Sequence, residues 1–207
     1  LLKVAISDSY KVSKYWNTVK ICLRNNYNPI DGSIYFDYIE LLEYFQKDIR
    51  NSKFVCPKDL HKAHNKLVAK KRKLDKKLAI AEQKRKMNFD QKQYEIEKGK
   101  FFGLKFKKGN LTIKVLETIQ EFIAESEKHN HCVYTNKYYA KQDSLILSAR
   151  VNNVLKETVE ISLKEMIVTQ SRGYGNKASN HHKEIVELVN ENLHLIQERI
   201  LSLSQTA

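Results

Sequence analysis

The sequence lacks the features that would carry the chain across a membrane or out of the cell. No apolar run approaches the roughly 18 residues that a spanning helix needs, and Leu1 opens on amphipathic sequence rather than on a secretory signal. The three cysteines, Cys22, Cys56 and Cys132, are widely spaced and form no C-x-x-C pair. Such an odd, scattered set argues against a disulfide framework and predicts a reducing, cytoplasmic location.

What the chain does have is an excess of positive charge. It has 207 residues, of which 42% are apolar and 29% charged, as in a soluble protein with one domain and an extended element. Its formal net charge is +13. Such an excess attracts polyanions, and nucleic acid is the commonest polyanion in a cell. The alternative is that lysine only keeps the chain in solution. A first residue other than Met is compatible with a fragment of a longer protein.

The positive charge is concentrated between residues 57 and 98. This stretch has fourteen Lys or Arg against six Asp or Glu, one proline at its start and no glycine. Pro57 suits the first position of a helix, and Asp59 suits its first turn. We therefore predict one long helix, with a possible interruption at the sequence MNFD. Its apolar residues recur at spacings of three, four and seven, which gives one narrow stripe: Leu60, Ala63, Leu67, Leu74, Leu78 and Ala81.

Lysines recur at the same spacings on another face of this helix: Lys62, Lys66, Lys70, Lys73, Lys77 and Lys84. Lysines four residues apart repel each other unless an anion lies beside them. The pattern therefore favours binding to a phosphate backbone, with little sequence specificity because lysine makes point-charge contacts. A two-stranded coil or a spacer helix also carries charge outside its seam, so docking of a partner protein is the alternative.

The regions on either side of this helix have different periodicities. Residues 1–56 have helical spacing, with a turn at Asn26–Ser33. The following helical face carries aromatic and aliphatic residues that we expect to be core rather than base contacts: Tyr35, Tyr38, Ile39, Leu42, Phe45 and Ile49. Residues 99–207 alternate as strands and then return to helical spacing. We therefore expect an α+β fold, an antiparallel sheet covered by helices, preceded by an N-terminal helical region (1–56) and the basic helix (57–98).

Local signals place most elements of the α+β region. Lys108-Gly109-Asn110 indicates a hairpin. Thr118 and Glu121 form a capping box that begins a helix. Three strands are predicted at 144–151, 157–163 and 166–173, with a turn at Asn152-Asn153 between the first two. One amphipathic helix, within residues 176–203, closes the chain.

Polar residues crowd into residues 129–150 and invite two metal-site interpretations. His129-x-His131 before Tyr138-Tyr139 resembles the metal and tyrosine arrangement of relaxases and replication nucleases. That chemistry needs alternate residues of one strand, whereas this stretch follows directly from a helix, on which residues two apart diverge. Zinc ligation by His131, Cys132, His181 and His182 also lacks the loop spacing that structural sites favour. We therefore predict no metal site.

The same region resembles the PcfJ-like proteins, which occur on conjugative plasmids, integrated conjugative elements and phages. The resemblance covers about residues 54–200. It includes the sequence CPKDLHKAHNKL at the start of the long helix. Many relatives have a Gly after the His-Cys-Val, where this chain has Tyr134. The ordered motifs that carry the resemblance are His131-Cys132-Val133, Ile146 with Arg150, Thr158-x-Glu160, Gln170-x-Arg172-Gly173 and Asn176.

The resemblance implies a mobile-element context and brings no established reaction. It also implies that the polar motif residues lie on neighbouring elements. Gln170 and Arg172 share a strand face, and two arginines with amides form a cradle for phosphate or carboxylate. We therefore expect Arg150, Gln170 and Arg172 to line one pocket with His131 and Cys132. The candidate catalytic residues are His131, Cys132, Tyr138, Arg150, Gln170 and Arg172, with Arg172 and Asn176 also candidates for nucleic-acid contact.

Two residue types in this cluster have a second interpretation. Cys132, beside His131 and near arginine, suits a nucleophile, but the favoured interpretation is a small, buried apolar residue at a helix end. Gly173 and Gly175 allow a turn whose N–H groups hold an anion, but a plain strand-to-helix turn is the favoured interpretation.

Three functions remain open from the sequence. The first is a nucleic-acid-binding protein of a mobile element, with affinity from the lysine-rich helix and selectivity from the pocket. The second is an enzyme acting on nucleic acid or a nucleotide through His131, Cys132 and the arginines. The third is an assembly subunit that docks a partner through the long helix. None of the three requires a cofactor.

Overall fold

The computed structural model describes residues 9–202. The predicted amphipathic start at Leu1 and the end of the closing helix at Leu203 lie outside this range. The described chain divides into two compact units inside the long helix, between Glu82 and Gln83. No helix within residues 9–202 combines the length and apolarity needed to cross a membrane.

The first unit is helical, as predicted for the N-terminal region. Its core centres on Tyr35, Phe36 and Ile39, which are fully buried, and Leu60, Ala63 and Leu67 pack against it. The helix that carries this core begins where the Asp31 side chain accepts a hydrogen bond from the Ile34 N–H at 3.0 Å. The predicted aromatic face is therefore a packed core. Its helices are α1 (Ser9–Lys14), α2 (Trp16–Arg24), α3 (Gly32–Tyr44) and α4 (Ser52–Val55).

The long basic helix α5 (Leu60–Lys98) is unbroken, which confirms the predicted single helix. It begins at Leu60 rather than at Pro57, because the Asp59 side chain caps it by accepting a hydrogen bond from the Lys62 N–H at 2.9 Å. The chain stays helical through the sequence MNFD, where an interruption was considered. In the second unit, the Tyr94 hydroxyl of α5 donates to the Leu116 carbonyl at 2.5 Å.

The second unit is built on a five-stranded antiparallel sheet in the order β1-β2-β3-β4-β5. The predicted turns are confirmed: Gly109 and Asn110 connect β1 to β2, and Asn152 and Asn153, both with positive φ, connect β3 to β4. The α+β class is thereby confirmed. The strands are β1 (Lys105–Lys108), β2 (Leu111–Val115), β3 (Ser144–Val151), β4 (Val154–Ser162) and β5 (Ile167–Arg172).

Helices cover both faces of this sheet. Helix α6 (Ile119–His129) begins at the predicted capping box and buries Phe122 against Ile146 of β3. The other face packs α7 (His182–Glu191) and α8 (Leu193–Leu201) over an aliphatic core. The single closing helix predicted from the sequence is wrong, because the helix breaks at Asn192. The Asn192 side chain donates to the Leu188 carbonyl at 2.7 Å and so competes for helical hydrogen bonding.

Gly173, directly after β5, is required by close packing. A Cβ atom at this position would lie 2.5 Å from the Lys156 carbonyl oxygen and 3.3 Å from that of Lys177. We expect Gly173→Ala to lower the free energy of unfolding of the second unit by about 1–3 kcal/mol, because backbone rather than a flexible side chain must move. The measurement is amide hydrogen exchange of strands β3 and β4.

Gly99→Ala is the matched control, because a Cβ there meets nothing within 4 Å. It should change the free energy by no more than about 0.5 kcal/mol. Equal effects of the two substitutions would contradict the packing explanation.

Candidate functional site

Strand register collects polar residues into two rows on the α6 face of the sheet. Ile146, Glu160 and Gln170 are direct cross-strand partners in one row. Ser148, Thr158 and Arg172 form the next row. Directly opposed residues of antiparallel strands share a face, so side chains from three strands point toward α6 and the segment that follows it. The predicted common face of Gln170 and Arg172 is thereby confirmed.

The segment after α6 closes over these rows because the helix ends in a left-handed residue. Asn130 has φ 50° and ψ 51°, and the His131 N–H then returns to the Ser126 carbonyl at 3.2 Å. The Tyr134 N–H donates to the Ser126 hydroxyl at 2.9 Å, and Val133 is buried. This anchoring holds residues 131–138 against the sheet.

Together these elements enclose a cavity of about 300 Å³, which we call the His131 pocket. This volume is at the lower end of the range for small-molecule sites, about 300–1,000 Å³. The pocket has an apolar floor and a polar wall that combines imidazole, thiol, amide, carboxylate and guanidinium groups. Its lining residues are His131, Cys132, Val133, Asn136, Tyr138, Ile146, Thr158, Glu160, Gln170, Arg172 and Asn176.

The two charged side chains of the His131 pocket, Glu160 and Arg172, differ in how many partners they have within the protein. Glu160 accepts a hydrogen bond from the Ser144 hydroxyl at 2.6 Å, and the Lys141 ammonium lies 3.6 Å away. Arg172, half-buried, donates only to the Ser171 carbonyl, at 3.0 Å, among the bonds of residues 9–202. Its guanidinium therefore keeps donors for a ligand, which favours an anionic or carbonyl group at that end of the pocket.

A buried carboxylate fixes the orientation of His131. Glu125, 1% exposed, accepts hydrogen bonds from the Ser148 and Thr158 hydroxyls, both at 2.6 Å. His131 Nε2 lies 2.9 Å from the Thr158 hydroxyl oxygen. Because the Thr158 proton is directed to Glu125, His131 donates through Nε2, and its Nδ1 is left as an acceptor. Burial lowers the pKa of His131, so the neutral imidazole is favoured.

The expected position of Arg150 is wrong. Arg150 does not line the His131 pocket but lies one row further along β3, beside a β-bulge that pairs it with Leu155. Its Nη2 is 3.8 Å from a Glu125 oxygen, and its Nε donates to Ser148 at 3.3 Å. Arg150 and Arg172 therefore do not share an anion, because a carboxylate of the chain itself neutralises Arg150.

Cys132 is also placed differently from the favoured interpretation. It is exposed rather than buried and lines the His131 pocket. The helix ends at His129, three residues before Cys132, so the thiol lies on the closing segment and not on the packed face of α6. Tyr138 lies in the pocket as expected, with the Lys141 ammonium 3.3 Å from its ring centroid. The neighbouring Tyr139 is buried instead.

The two histidines thought to diverge on a helix are close together. Because Asn130 reverses the chain, the ring centroids of His129 and His131 are 5.3 Å apart. Within residues 9–202, no three His, Cys, Asp or Glu side chains converge as metal ligands. His129 Nε2 is 4.0 Å from Glu125. Burial and the nearby His131 lower the pKa of His129 to about 4.

The six lysines of the basic face are all exposed on α5: Lys62, Lys66, Lys70, Lys73, Lys77 and Lys84. Lys70 is the most constrained by its surroundings, with its ammonium 4.4 Å from the Phe45 ring centroid. The whole stretch 72–86 is exposed. This face is therefore available to a large partner.

Sequence reasoning missed four polar residues of the site: Glu125, Glu160, Asn136 and Thr158, which contacts His131 and was given no role. Glu125 left a signal, because it lies on the apolar face of α6, three residues after Phe122 and four before His129. A carboxylate among core positions at helical spacing indicates a buried partner. Glu160 was present in the family motif but was given no role. Asn136 had no local signal, because its place depends on the path of the closing segment.

Comparison with known proteins identifies a family that the chain matches. A model of the family described as PcfJ-like protein matches residues 34–186, which is most of the chain. The match runs from α3 to the middle of α7 and includes the basic helix and the His131 pocket. No curated protein matches, and no solved structure matches.

The lowered pKa of His129 predicts a pH-dependent stability. Between about pH 4 and the unfolded value near 6.5, the unfolded chain binds more protons than the folded one. Stability is therefore complete above that window and lost as the pH falls through it. At pH 5 we expect the free energy of unfolding to be lower by about 2 kcal/mol than at pH 7 through this group alone. His129→Gln should remove that difference, as measured by hydrogen exchange of β3 and β4 at both pH values. An unchanged pH dependence in the variant would contradict the assignment.

Proposed function

The chain belongs to the PcfJ-like protein family, and we propose that it is a nucleic-acid-binding protein of a mobile genetic element. The lysine-rich face of α5 binds phosphate backbone, and the His131 pocket makes a more selective contact. The proposed location is the cytoplasm, where the three cysteines, all free among the described residues, would stay reduced.

One observation carries this proposal. Every residue from 72 to 86 is exposed, and this stretch has seven Lys or Arg against two Asp or Glu. A helix of this length extends about 22 Å with little packing to offset the repulsion between its charges. Phosphates lying alongside would relieve that repulsion. A solubilising role needs no such concentration of like charge on one unpacked helix.

The spacing of the lysines supports contact with a backbone rather than with bases. Lys66, Lys70, Lys73 and Lys77 recur every three or four residues and so follow one edge of the helix. Lysine is a flexible point charge without the planar fork of arginine. Binding through this face is therefore of low sequence specificity and strongly dependent on salt.

Replacing Lys66, Lys70, Lys73 and Lys77 together by Gln should weaken binding of duplex DNA. It should also flatten the dependence of log K on log salt by up to about 3.6, which is about 0.9 for each of four lost phosphate contacts. The measurement is fluorescence anisotropy at several salt concentrations. Four exposed lysines of the second unit provide the matched control, again changed to Gln: Lys105, Lys107, Lys164 and Lys183.

A salt slope that changes equally in both variants would mean that the basic face of α5 has no special role. Binding of a protein partner without salt dependence would instead favour the assembly-subunit function. In that case the exposed Leu74 and Leu78 of α5 provide the apolar contact.

An enzymatic function is the second candidate, favoured by the exposed thiol in the His131 pocket. Cys132 can be reached by a ligand, and the His131 side chain lines the same pocket. Arg172 offers a donor for an oxyanion or phosphate. Because Nδ1 of His131 is itself shielded from solvent, a role as base would require the closing segment to move.

Two substitutions test the role of the His131 pocket: Arg172→Ala tests whether it binds a ligand, and Cys132→Ser distinguishes an enzyme from a binding protein. Arg172→Ala should abolish function that depends on the pocket ligand, with the fold nearly as stable, because Arg172 makes only one internal hydrogen bond among residues 9–202. For an enzyme, Cys132→Ser should stop conversion of labelled oligonucleotides or nucleoside triphosphates while binding persists. Product analysis together with anisotropy measures both effects. Unfolding of the second unit by Arg172→Ala would refute a ligand-binding role for that arginine.

A further inference from the structure

The second unit has a second cavity, on the other side of the turn that follows β5. Its volume is about 600 Å³, and we call it the Lys156 cleft. The cleft lies between the end of α6, the β3–β4 turn and the segment after Gly173. Its lining residues are Lys128, His129, Asn153, Val154, Leu155, Lys156, Gly173, Tyr174, Lys177, Ala178 and Ser179.

Positive charge in this cleft is uncompensated. Lys128, Lys156 and Lys177 come from three different segments, and none has an ammonium hydrogen bond or ion pair within the described part of the chain. Glu157, the residue after Lys156, is fully buried and already accepts from the Ser179 N–H at 2.5 Å and from His182 at 2.9 Å. The cleft therefore lacks an internal anion to balance its lysines, which favours an external one.

An aromatic side chain stands at the same cleft. Tyr174 is 71% exposed and occupies a short 3-10 turn, Tyr174–Asn176. The turn is pinned by a hydrogen bond from the Gly173 N–H to the Lys177 carbonyl at 2.8 Å and by one from the Asn176 N–H to the Gly173 carbonyl at 3.1 Å. The ring is thus presented on a fixed backbone and has no stacking partner among residues 9–202. Such an exposed aromatic beside lysines is typical of a platform for unpaired bases.

The turn also joins the cleft to the His131 pocket. Arg172 and Asn176 line the pocket, whereas Gly173, Tyr174 and Lys177 line the cleft. Five residues of one six-residue segment are thus divided between the two cavities. The same short segment therefore forms part of the wall of both cavities.

We propose that the second unit binds single-stranded nucleic acid, with a base stacked on Tyr174 and the adjoining phosphates beside Lys128, Lys156 and Lys177. The next nucleotide enters the His131 pocket, where Arg172 contacts its phosphate. A duplex is disfavoured, because paired bases offer no free face to Tyr174. This inference rests on the proposed nucleic-acid function but assigns a second binding surface, separate from the basic face of α5.

The test uses the full chain with fluorescein-labelled oligo(dT), oligo(U) and a duplex of the same length. Tyr174→Ala should weaken binding of the single strands about tenfold, the loss expected for one stacked base, and should leave duplex binding within about twofold. Tyr174→Phe keeps the ring and should retain binding. Changing Lys128, Lys156 and Lys177 together to Gln should flatten the salt slope for single strands by about 2, or about 0.7 for each contact.

The matched control changes three exposed lysines elsewhere in the same unit, Lys105, Lys107 and Lys164, to Gln. Single-strand binding that is unaffected by Tyr174→Ala, or lost equally in the control, would overturn the inference. So would an equal loss for the duplex, which would reduce the cleft to a general phosphate contact. If the wild-type chain binds no nucleic acid, the proposed function fails as well. If only the α5 variant weakens binding, the single-strand site alone fails.

Discussion

The geometry of the second unit depends on one buried carboxylate. Removing an ionised carboxylate from water costs on the order of several kcal/mol unless hydrogen bonds and an opposite charge compensate. Glu125 obtains two hydroxyl donors and the Arg150 guanidinium from β3 and β4. These partners can satisfy it only when α6 sits in one register over the sheet. The same register places the end of α6 beside the pocket, where the reversal at Asn130 brings His131 over the sheet.

Positively charged side chains of this protein occupy two different environments, one inside the second unit and one at the surface. Arg150 is largely committed inside the protein, where its charge stabilises a buried acid. Most lysines of α5 and of the Lys156 cleft lie where water solvates them, and Lys128, Lys156 and Lys177 form no ion pair among residues 9–202. The net positive charge of the composition therefore comes from two kinds of residue: those whose charge is paired inside the protein, and those whose charge is exposed to solvent. The solvent-exposed charges dominate the electrostatic field that an approaching polyanion meets.

The sequence determined local features well and long-range placement less well. The capping box of α6 and the bounds of β3 followed from hydrogen-bonding types and alternation that operate within a few residues. Arg150 could not be placed, because the sequence does not show that its guanidinium lies beside the buried Glu125 of α6, and because the bulge that shifts its partner on β4 leaves no mark in the alternation. The break at Asn192 and the exposure of Cys132 likewise depend on competition between side-chain and helical hydrogen bonds and on where α6 ends. The common face of Gln170 and Arg172 was predictable from the alternation of one strand, whereas the approach of His131 depends on the reversal at Asn130.

The order of the strands has a consequence for how the second unit acquires its structure. Every strand pairs with its neighbour in the sequence, and the largest gap between paired strands is the segment that contains α6. Contacts between residues near in sequence cost little loop-closure entropy, and topologies rich in them cross their transition states quickly. The hairpin β1–β2 and the meander β3–β4–β5 can therefore form quickly, and the pairing of β2 with β3, which requires α6 to dock, is the slower step. Glu125 remains hydrated until that step, so the desolvation of its carboxylate should fall late on the folding pathway.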